Sequence, residues 1–418
     1  MSGLHVGFAL FLSSWLCAAV AADSEGAQRF RPKDPGYVVL AIAPQRANEE
    51  SPLSAQDAQR VAANYLDLAR SAREPRYFGR AEAVLRPWIA RSNTTPGLLL
   101  LQADILQNRH DFKGARHTLD RVVSLDPSEP RAHLMRATLL MVQGESARAR
   151  SDCAALMGLG ETAIGTVCLA QSLAGTGQID RAESMIGLVL NRDELREPAT
   201  LAWAQATLGE LATRRGDLAA AKFHLRTAFE ATPQDESIRS ALADVLIASQ
   251  EPDEALQVLD LPRPSVGLLV RRLLAQTIVR DAGRGATLGQ LKELLRLEAE
   301  RGERVHLREE TLLALGTGRP PKETLALAQA NFAVQREAID ARLLARAAFI
   351  ARDANALDEL SQWRSSSGFK DRLLDSILRR RSGEEPAPSP IRGRGPVKQA
   401  SLNGSRPRIG LGAGFSPG

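Results

Sequence analysis

Apolar residues along the chain recur in a pattern that predicts pairs of amphipathic helices. Between residues 62 and 262 they are spaced as on one face of a helix, and turn-forming residues such as Gly175-Thr176-Gly177 break each unit once. Each unit carries two small residues 12 positions apart, and successive units are offset by 34, 34, 33, 39 and 34 positions. The pairs are Ala69 with Ala81, Ala103 with Ala115, Ala137 with Ala149, Ala170 with Ala182, Gly209 with Ala221, and Ala243 with Ala255. Six helix pairs are predicted.

The repetition predicts a stacked architecture. One helix pair cannot bury its apolar stripe alone, so neighbouring pairs must pack against each other. We expect the small residues where two helices cross closely, since only Ala or Gly leaves room there. Pro127 and Pro233 are expected to end their units, because proline cannot continue a helix.

The pattern loosens beyond the repeat region, residues 54–262. Further helices are predicted at residues 268–279, 288–300, 306–315, 323–335, 338–351, 354–363 and 370–381. We interpret residues 263–381 as about two degenerate repeats and a capping helix, since terminal repeats are usually atypical. Residues 22–53 are expected to form an extended segment. Residues 382–418 are dominated by Pro, Gly, Ser and Arg, which predicts a disordered tail.

The period and the small residues resemble the tetratricopeptide repeat family, whose 34-residue motif contains Leu-Gly, A-x3-F and a terminal Pro. The places of this motif are filled here by Gln205, Leu208-Gly209, Ala212, Ala221, Leu225, Ala228 and Pro233. The Leu-Gly pair, the Ala and the Pro match the motif, whereas its first-helix Trp and Tyr are replaced by smaller residues. Residues 74–78 with 86–88, and residues 328–336, also resemble exported bacterial members of unassigned function. The resemblance implies an all-α solenoid of helix-turn-helix repeats in a right-handed superhelix, with a concave groove that holds a protein or peptide partner.

Composition narrows the alternatives. The 418 residues are 44% hydrophobic but only 4% aromatic, which disfavours a β-sandwich or barrel. The net charge is +5, and acids and bases are interspersed along most of the chain. A nucleic-acid binder usually clusters its basic residues on one face, so we expect no nucleic-acid partner.

The first residues have the features of a secretory signal peptide. Residues 1–22 carry no charged side chain, and an apolar run from Val6 to Leu16 precedes the cleavage-type sequence Ala19-Val20-Ala21. The run is shorter than the ~20 apolar residues of a transmembrane helix. Residues 1–21 therefore predict export to the periplasm or the medium, without a transmembrane span.

Two cysteines remain after such a signal, Cys153 and Cys168. Their spacing fits no metal or redox motif of the CxxC type. They are expected either to form a disulfide in an oxidising compartment or to be two small buried apolar residues.

Motifs for chemistry are largely missing. The sequence contains no P-loop and no HExxH, and His110 and His117 are too far apart on a helix to share a metal ion. We predict no cofactor, no metal and no catalytic residue. Two alternatives stay open: an exported enzyme, for instance one acting on peptidoglycan, with its site in residues 263–381, or a structural component of envelope assembly.

The remaining candidate is the concave surface. In this repeat family the residue after the first small position usually faces the groove. Gln107 and Met141 follow on the same scheme, and Arg131 and Trp203 lie nearer the helix starts. The expected groove residues are Arg70, Asp104, Gln107, Arg131, Thr138, Met141, Gln171, Trp203, Glu210 and Asp244. The resulting surface is polar, with an acidic bias and one exposed aromatic at Trp203, and it suits an extended peptide that carries basic residues.

Overall fold

The computed structural model describes residues 54–71, 76–191, 197–300 and 305–380, and in these ranges the chain forms nineteen α-helices and no β-strand. The predicted signal peptide, the extended segment up to residue 53 and the tail from residue 382 lie outside the described residues. The helices are α1 Ala55–Ser71, α2 Arg76–Ile89, α3 Pro96–Asn108, α4 Phe112–Leu125, α5 Pro130–Val142, α6 Ser146–Gly158, α7 Thr162–Gly175, α8 Ile179–Asn191, α9 Pro198–Arg215, α10 Leu218–Ala231, α11 Glu236–Ala248, α12 Pro252–Val258, α13 Val266–Val279, α14 Arg284–Glu300, α15 Leu307–Thr317, α16 Pro321–Val334, α17 Ala338–Ala351, α18 Ala354–Ser367 and α19 Arg372–Arg380.

Consecutive helices form hairpins that stack in chain order. The pairs α1/α2 to α11/α12 occupy the region where six repeats are predicted. Beyond them the structure has three further hairpins, α13/α14, α15/α16 and α17/α18, before the single helix α19. Each of these seven helices overlaps a helix predicted from the sequence, but they form three hairpins and a single helix where about two degenerate repeats and a capping helix were expected.

Local sequence explains where the helices begin and end. The second helices α4, α10 and α18 each follow an aspartate, and the side chains of Asp111, Asp217 and Asp353 accept a hydrogen bond from the backbone N–H three residues later. The helices α4 and α10 end two residues before Pro127 and Pro233. These prolines keep a role after the helix, because their carbonyl oxygens accept hydrogen bonds from His133 and Arg239 of the next helix.

The small residues that recur in the six repeats are all buried inside the stack, and none of them lines a surface that a ligand could reach. On the first helices of the hairpins they are Ala69, Ala103, Ala137, Ala170, Gly209 and Ala243. On the second helices they are Ala81, Ala115, Ala149, Ala182, Ala221 and Ala255, each with no exposed surface. These twelve positions therefore belong to the core and have a structural role.

Gly209 shows why a larger residue is excluded from such a position. A β-carbon on Gly209 would lie 2.6 Å from Cγ of Leu225 and 3.4 Å from the carbonyl oxygen of Ala221, both on α10. The first and second helices of this hairpin therefore cross at a distance that only a very small side chain permits.

A disulfide joins Cys153 and Cys168. Cys153 lies on α6 and Cys168 on α7, so the bond links the second helix of one hairpin to the first helix of the next. Both residues are fully buried in the largest apolar cluster of the described residues, which extends from α5 to α11.

The hairpin stack curves until its last elements contact its middle. The backbone N–H of Arg336 donates to the carbonyl of Val142 at 2.7 Å, and Nε of Arg214 donates to the carbonyl of Lys370 at 3.0 Å. We call this contact the seam. It joins residues 334–337 and 368–373 to residues 142–144, 174–177 and 214–216, which are the turns of three consecutive central hairpins.

Candidate functional site

A large cavity of about 700 Å³ lies on the concave side of the described hairpins. One wall consists of residues of the first helices α3, α5, α7, α9, α11 and α13, with Arg70 of α1 at one end. The opposite wall consists of α15, the turn between α16 and α17, and residues of α18 and α19. The cavity therefore exists because the stack closes on itself at the seam.

Nine of the ten predicted groove residues line this cavity, and the exception is Arg131. Arg131 occupies the first turn of α5, whereas the cavity reaches the last turns of that helix at Thr138 and Met141. Seven residues separate Arg131 from Thr138, which is roughly 10 Å along a helix at 1.5 Å per residue. Arg131 is therefore too far from the seam to reach the cavity.

Trp203 was expected to be an exposed aromatic, and this expectation was wrong. The residue is only 3% exposed and belongs to the apolar cluster that spans α5 to α11. It lies in α9, which packs against α7, α8 and α10 at once. Because α9 has neighbours on several sides, a position that the repeat pattern predicts to face the groove is covered by another helix.

The three acidic groove residues each face an arginine. Asp104 is paired with Arg70, and Asp244 accepts two hydrogen bonds from Arg271, at 2.9 Å from Nε and 2.8 Å from Nη2. Glu210 lies 3.8 Å from Nη1 of Arg214. The first two pairs connect the first helices of neighbouring hairpins, so these charges also hold the stack together.

The cavity as a whole has no acidic bias. Its lining contains six arginines and six carboxylates. The expected preference for a basic peptide therefore has no support in the charge balance.

The first turn of α15 brings an ionised cluster to the cavity wall. Nε2 of His306 lies 3.1 Å from Oε1 of Glu298, and Nδ1 lies 3.6 Å from Oε2 of Glu309. Burial acts to lower the pKa of His306, but the two carboxylates outweigh it and raise the pKa to about 10. Burial likewise acts to raise the pKa of Glu309, yet His306 and nearby arginines lower it to about 2.

A histidine of the opposite wall behaves differently. Burial lowers the pKa of His110, in the turn between α3 and α4, to about 4. Glu309 raises this pKa and Arg308 and His306 lower it, so the charges of α15 act across the cavity on that turn.

We predict that stability falls as the pH rises from 6.5 toward 10. The pKa of His306 is about 10 in the folded chain, against an ordinary value of 6.5. Because the folded state binds the proton of His306 more tightly than the unfolded state does, protonation of His306 stabilises the folded state. This stabilisation is complete below pH 6.5 and is lost as the pH rises toward 10. Thermal melts at pH 6 and pH 9.5 measure the change. The variant His306→Gln should lose less stability over the same range, and an identical loss would exclude His306 as the cause.

The described residues contain no group of three His, Cys, Asp or Glu side chains that could hold a metal ion. In the same part of the chain, no helix is long and apolar enough to span a membrane. Several charged side chains on the cavity wall form ion pairs, such as Asp244 with Arg271.

Comparison with known families agrees with this architecture. A tetratricopeptide repeat family model matches residues 212–276, from the end of α9 into α13, and a second tetratricopeptide repeat model matches residues 130–151, across α5 and α6. The chain contains tetratricopeptide repeats. No curated protein is significantly similar to it in sequence.

Several solved structures are similar to this tetratricopeptide repeat protein. A tetratricopeptide repeat protein from Parabacteroides merdae is 16% identical with a TM-score of 0.40, over 63% of this chain and 98% of that one. A thermophilic protein of the same kind from Thermus thermophilus is 17% identical with a TM-score of 0.37, over 46% and 100% of the two chains. The human IFIT1 dimer with PPP-AAAA is 13% identical with a TM-score of 0.45, over 75% and 72%.

The seam residues were missed by sequence reasoning. Arg214 follows the groove-side residue Thr213 by one position, and it is 2% exposed with its guanidinium over the ring of Phe369. Its other partners are the carbonyl oxygens of Ala174 and Lys370. Backbone carbonyls have no sequence signature, so the pattern offered no signal for this contact.

Proposed function

We propose that this tetratricopeptide repeat protein is a non-catalytic interaction protein that binds an extended segment of a protein or peptide partner in the concave cavity. Arrays of such repeats present extended concave surfaces for partners. The observation that carries the proposal is the convergence of eight repeat-register positions, spread from α1 to α11, on one cavity. Repeated use of one face along successive hairpins is what recognition of an extended chain requires.

Two side chains of the cavity wall support a peptide as the ligand. The side-chain oxygen of Gln107 and the side-chain nitrogen of Gln335 are buried, and neither has a hydrogen-bond partner among the described residues. A buried polar group without a partner costs about 1–3 kcal/mol, which a ligand recovers if it supplies the missing bond. A peptide backbone offers both a donor and an acceptor for these two groups.

The alternative of an exported enzyme has no comparable support. Residues 266–380, where a catalytic site was considered, consist of further helical hairpins and α19 in the described ranges. Their charged groups form structural networks such as Arg308 with Asp340. An assembly role in an envelope is compatible with the same binding surface and differs only in the identity of the partner.

We also propose that the chain is exported. The apolar run before Ala19-Val20-Ala21 and the disulfide between Cys153 and Cys168 support this, because structural disulfides persist in oxidising compartments. Cell fractionation with mass measurement of the mature N-terminus tests export. Recovery of the uncleaved chain in the cytoplasm would contradict it.

Gln107→Leu is the sharpest test of peptide binding. Short random peptides displayed on phage are selected on the full chain, and their Kd is measured by fluorescence anisotropy. Loss of one hydrogen bond to the peptide should weaken binding about tenfold, which corresponds to about 1.4 kcal/mol. Gln276→Leu on α13 is the matched control, because its side-chain oxygen is also buried without a partner but Gln276 neither lines the cavity nor belongs to the seam.

The two glutamine variants separate the outcomes. Weaker binding by Gln107→Leu alone supports the cavity as the peptide site. Equal Kd values for the wild type and both variants would place the site elsewhere, and failure to select any peptide would contradict the proposed function itself.

A further inference from the structure

The seam brings backbone into direct contact with backbone. Gly177, in the turn between α7 and α8, has a φ of +81°, and a β-carbon there would overlap the carbonyl oxygen of Gly368. In the preceding hairpin, a β-carbon on Gly144 would lie 3.1 Å from Cβ of Arg336. The last hairpins can therefore approach the central turns only because these turns have glycine at the points of contact.

Arg214 is the main side chain that fastens the seam. Its Nε donates to the carbonyl of Lys370 at 3.0 Å and its Nη2 to the carbonyl of Ala174 at 2.8 Å. Its guanidinium carbon lies 4.2 Å from the centre of the Phe369 ring, within the range of a cation–π interaction. One residue of α9 thus holds the turn before α19 against the end of α7.

The seam has little of the apolar packing that joins neighbouring hairpins. Of the last three helices, α19 packs against the central helix α9, and it does so far less extensively than α10 does. Val334, which is only partly buried, packs against the cluster of α3–α5. A contact of this limited extent separates at lower cost than the cores on either side.

The size of the cavity limits what the closed form can hold. Its volume of about 700 Å³ is that of a site for a small ligand or a few peptide residues. Stable protein–protein interfaces bury roughly 1,600 Å² in total, far more than such a cavity offers. Moving the two walls apart would give a folded partner or a long peptide the larger contact area that such an interface requires.

We propose that α17–α19 form a releasable gate over the concave face, which opens when the seam at Val142, Gly177 and Arg214 separates and admits an extended partner. The closed form is the one described here. In the open form the partner replaces residues 334–337 and 368–373 on the turns of the three central hairpins. The gate rests on the proposed function for its purpose, but its opening is a property of the free chain.

Gly177→Ala tests the gate, and Gly216→Ala is its matched control. Both glycines lie in the turns of consecutive hairpins, with φ of +81° and +80°, so both alanines carry the same backbone strain. A β-carbon on Gly216 meets nothing within 4 Å, whereas one on Gly177 meets the carbonyl of Gly368. Only Gly177→Ala should therefore force the seam apart.

Hydrogen–deuterium exchange and small-angle X-ray scattering on the full chain measure the opening without any partner. We expect at least tenfold faster exchange at the amide of Arg336 and in residues 368–373 of Gly177→Ala, with a larger radius of gyration and an unchanged helical circular-dichroism signal. Gly216→Ala should match the wild type. Identical exchange in the two variants would overturn the gate.

The wild type supplies a second measurement, should Gly177→Ala fail to fold. Under native conditions its Arg336 amide should exchange at least tenfold faster than amides in the middle of α7. Exchange as slow as in α7 would show that the seam opens only with global unfolding, and it would overturn the gate. These readouts use the free chain, so they are independent of whether Gln107 contacts a peptide.

Discussion

Asp340→Ala is expected to lower the free energy of unfolding by about 3–5 kcal/mol. The carboxylate is fully buried and accepts hydrogen bonds from Nε and Nη2 of Arg308, both at 2.7 Å. It also accepts from Nδ2 of Asn331 at 2.7 Å and from the backbone N–H of Glu337 at 3.0 Å. Alanine removes the main counter-charge of a guanidinium that is only 12% exposed, and it leaves donors from two other residues without their acceptor.

Urea titration followed by far-UV circular dichroism measures this loss. The control is Asp120→Ala, since the side chain of Asp120 is 55% exposed and pairs with Arg136 at 2.9 Å. An exposed pair of this kind is worth about 0–1 kcal/mol, so the control should hardly shift the midpoint. Asp340→Asn should fall between the two, because it keeps the shape but loses the charge. Equal shifts for the two alanine variants would contradict a structural role of the Arg308–Asp340 pair.

Most helices could be predicted from the sequence because each hairpin repeats the same local signals. Aspartates such as Asp111 and Asp217 cap the second helices, and prolines such as Pro127 stop them. These signals act within a few residues of where they stand, so no knowledge of the tertiary structure is needed to read them. The seven helices after residue 262 are predicted as well, although their grouping into three hairpins and a single helix is not.

The positions on the concave wall could be predicted for a related reason. A fixed period places the same helix face toward the same side in every hairpin, so Asp104, Thr138 and Asp244 all reach the cavity. What surrounds each position is not periodic. Arg271, which neutralises Asp244, lies 27 residues away on the next first helix, and Trp203 is buried because α9 has neighbours on three sides.

The closure of the stack could not be predicted in this way. Arg214 and Lys370 are 156 residues apart, and the group that Arg214 binds is a backbone carbonyl. The rotation between neighbouring hairpins adds up over the whole array. A small difference in each rotation therefore decides whether the last hairpins reach the central ones. A local pattern contains no information on that sum, and the sequence therefore predicts an open groove where the structure has a second wall opposite it.

Removal of the disulfide is expected to lower the free energy of unfolding by about 3 kcal/mol. A bond that closes a loop of this size reduces the conformational entropy of the unfolded chain by about that amount of free energy. Cys153 and Cys168 are 15 residues apart in the sequence. The test uses the double variant that combines Cys153→Ala with Cys168→Ala. Alanine is preferred to serine, because both cysteines are fully buried in the apolar cluster of α5–α11 and serine would place a hydroxyl group there. Urea unfolding of the oxidised wild type and of the variant measures the difference.

The reduced wild type is the internal control for the cysteine variant. It keeps both sulfur atoms in the core but loses the covalent link between α6 and α7, so it should lose nearly the same stability as the double variant. A smaller loss on reduction would assign part of the effect to packing of the two side chains. Equal midpoints for oxidised and reduced protein would show that the bond adds nothing to the folded state, because the stacked helices already hold these two residues together. The expectation is the opposite, since the bond acts mainly on the unfolded chain, where no stacking exists.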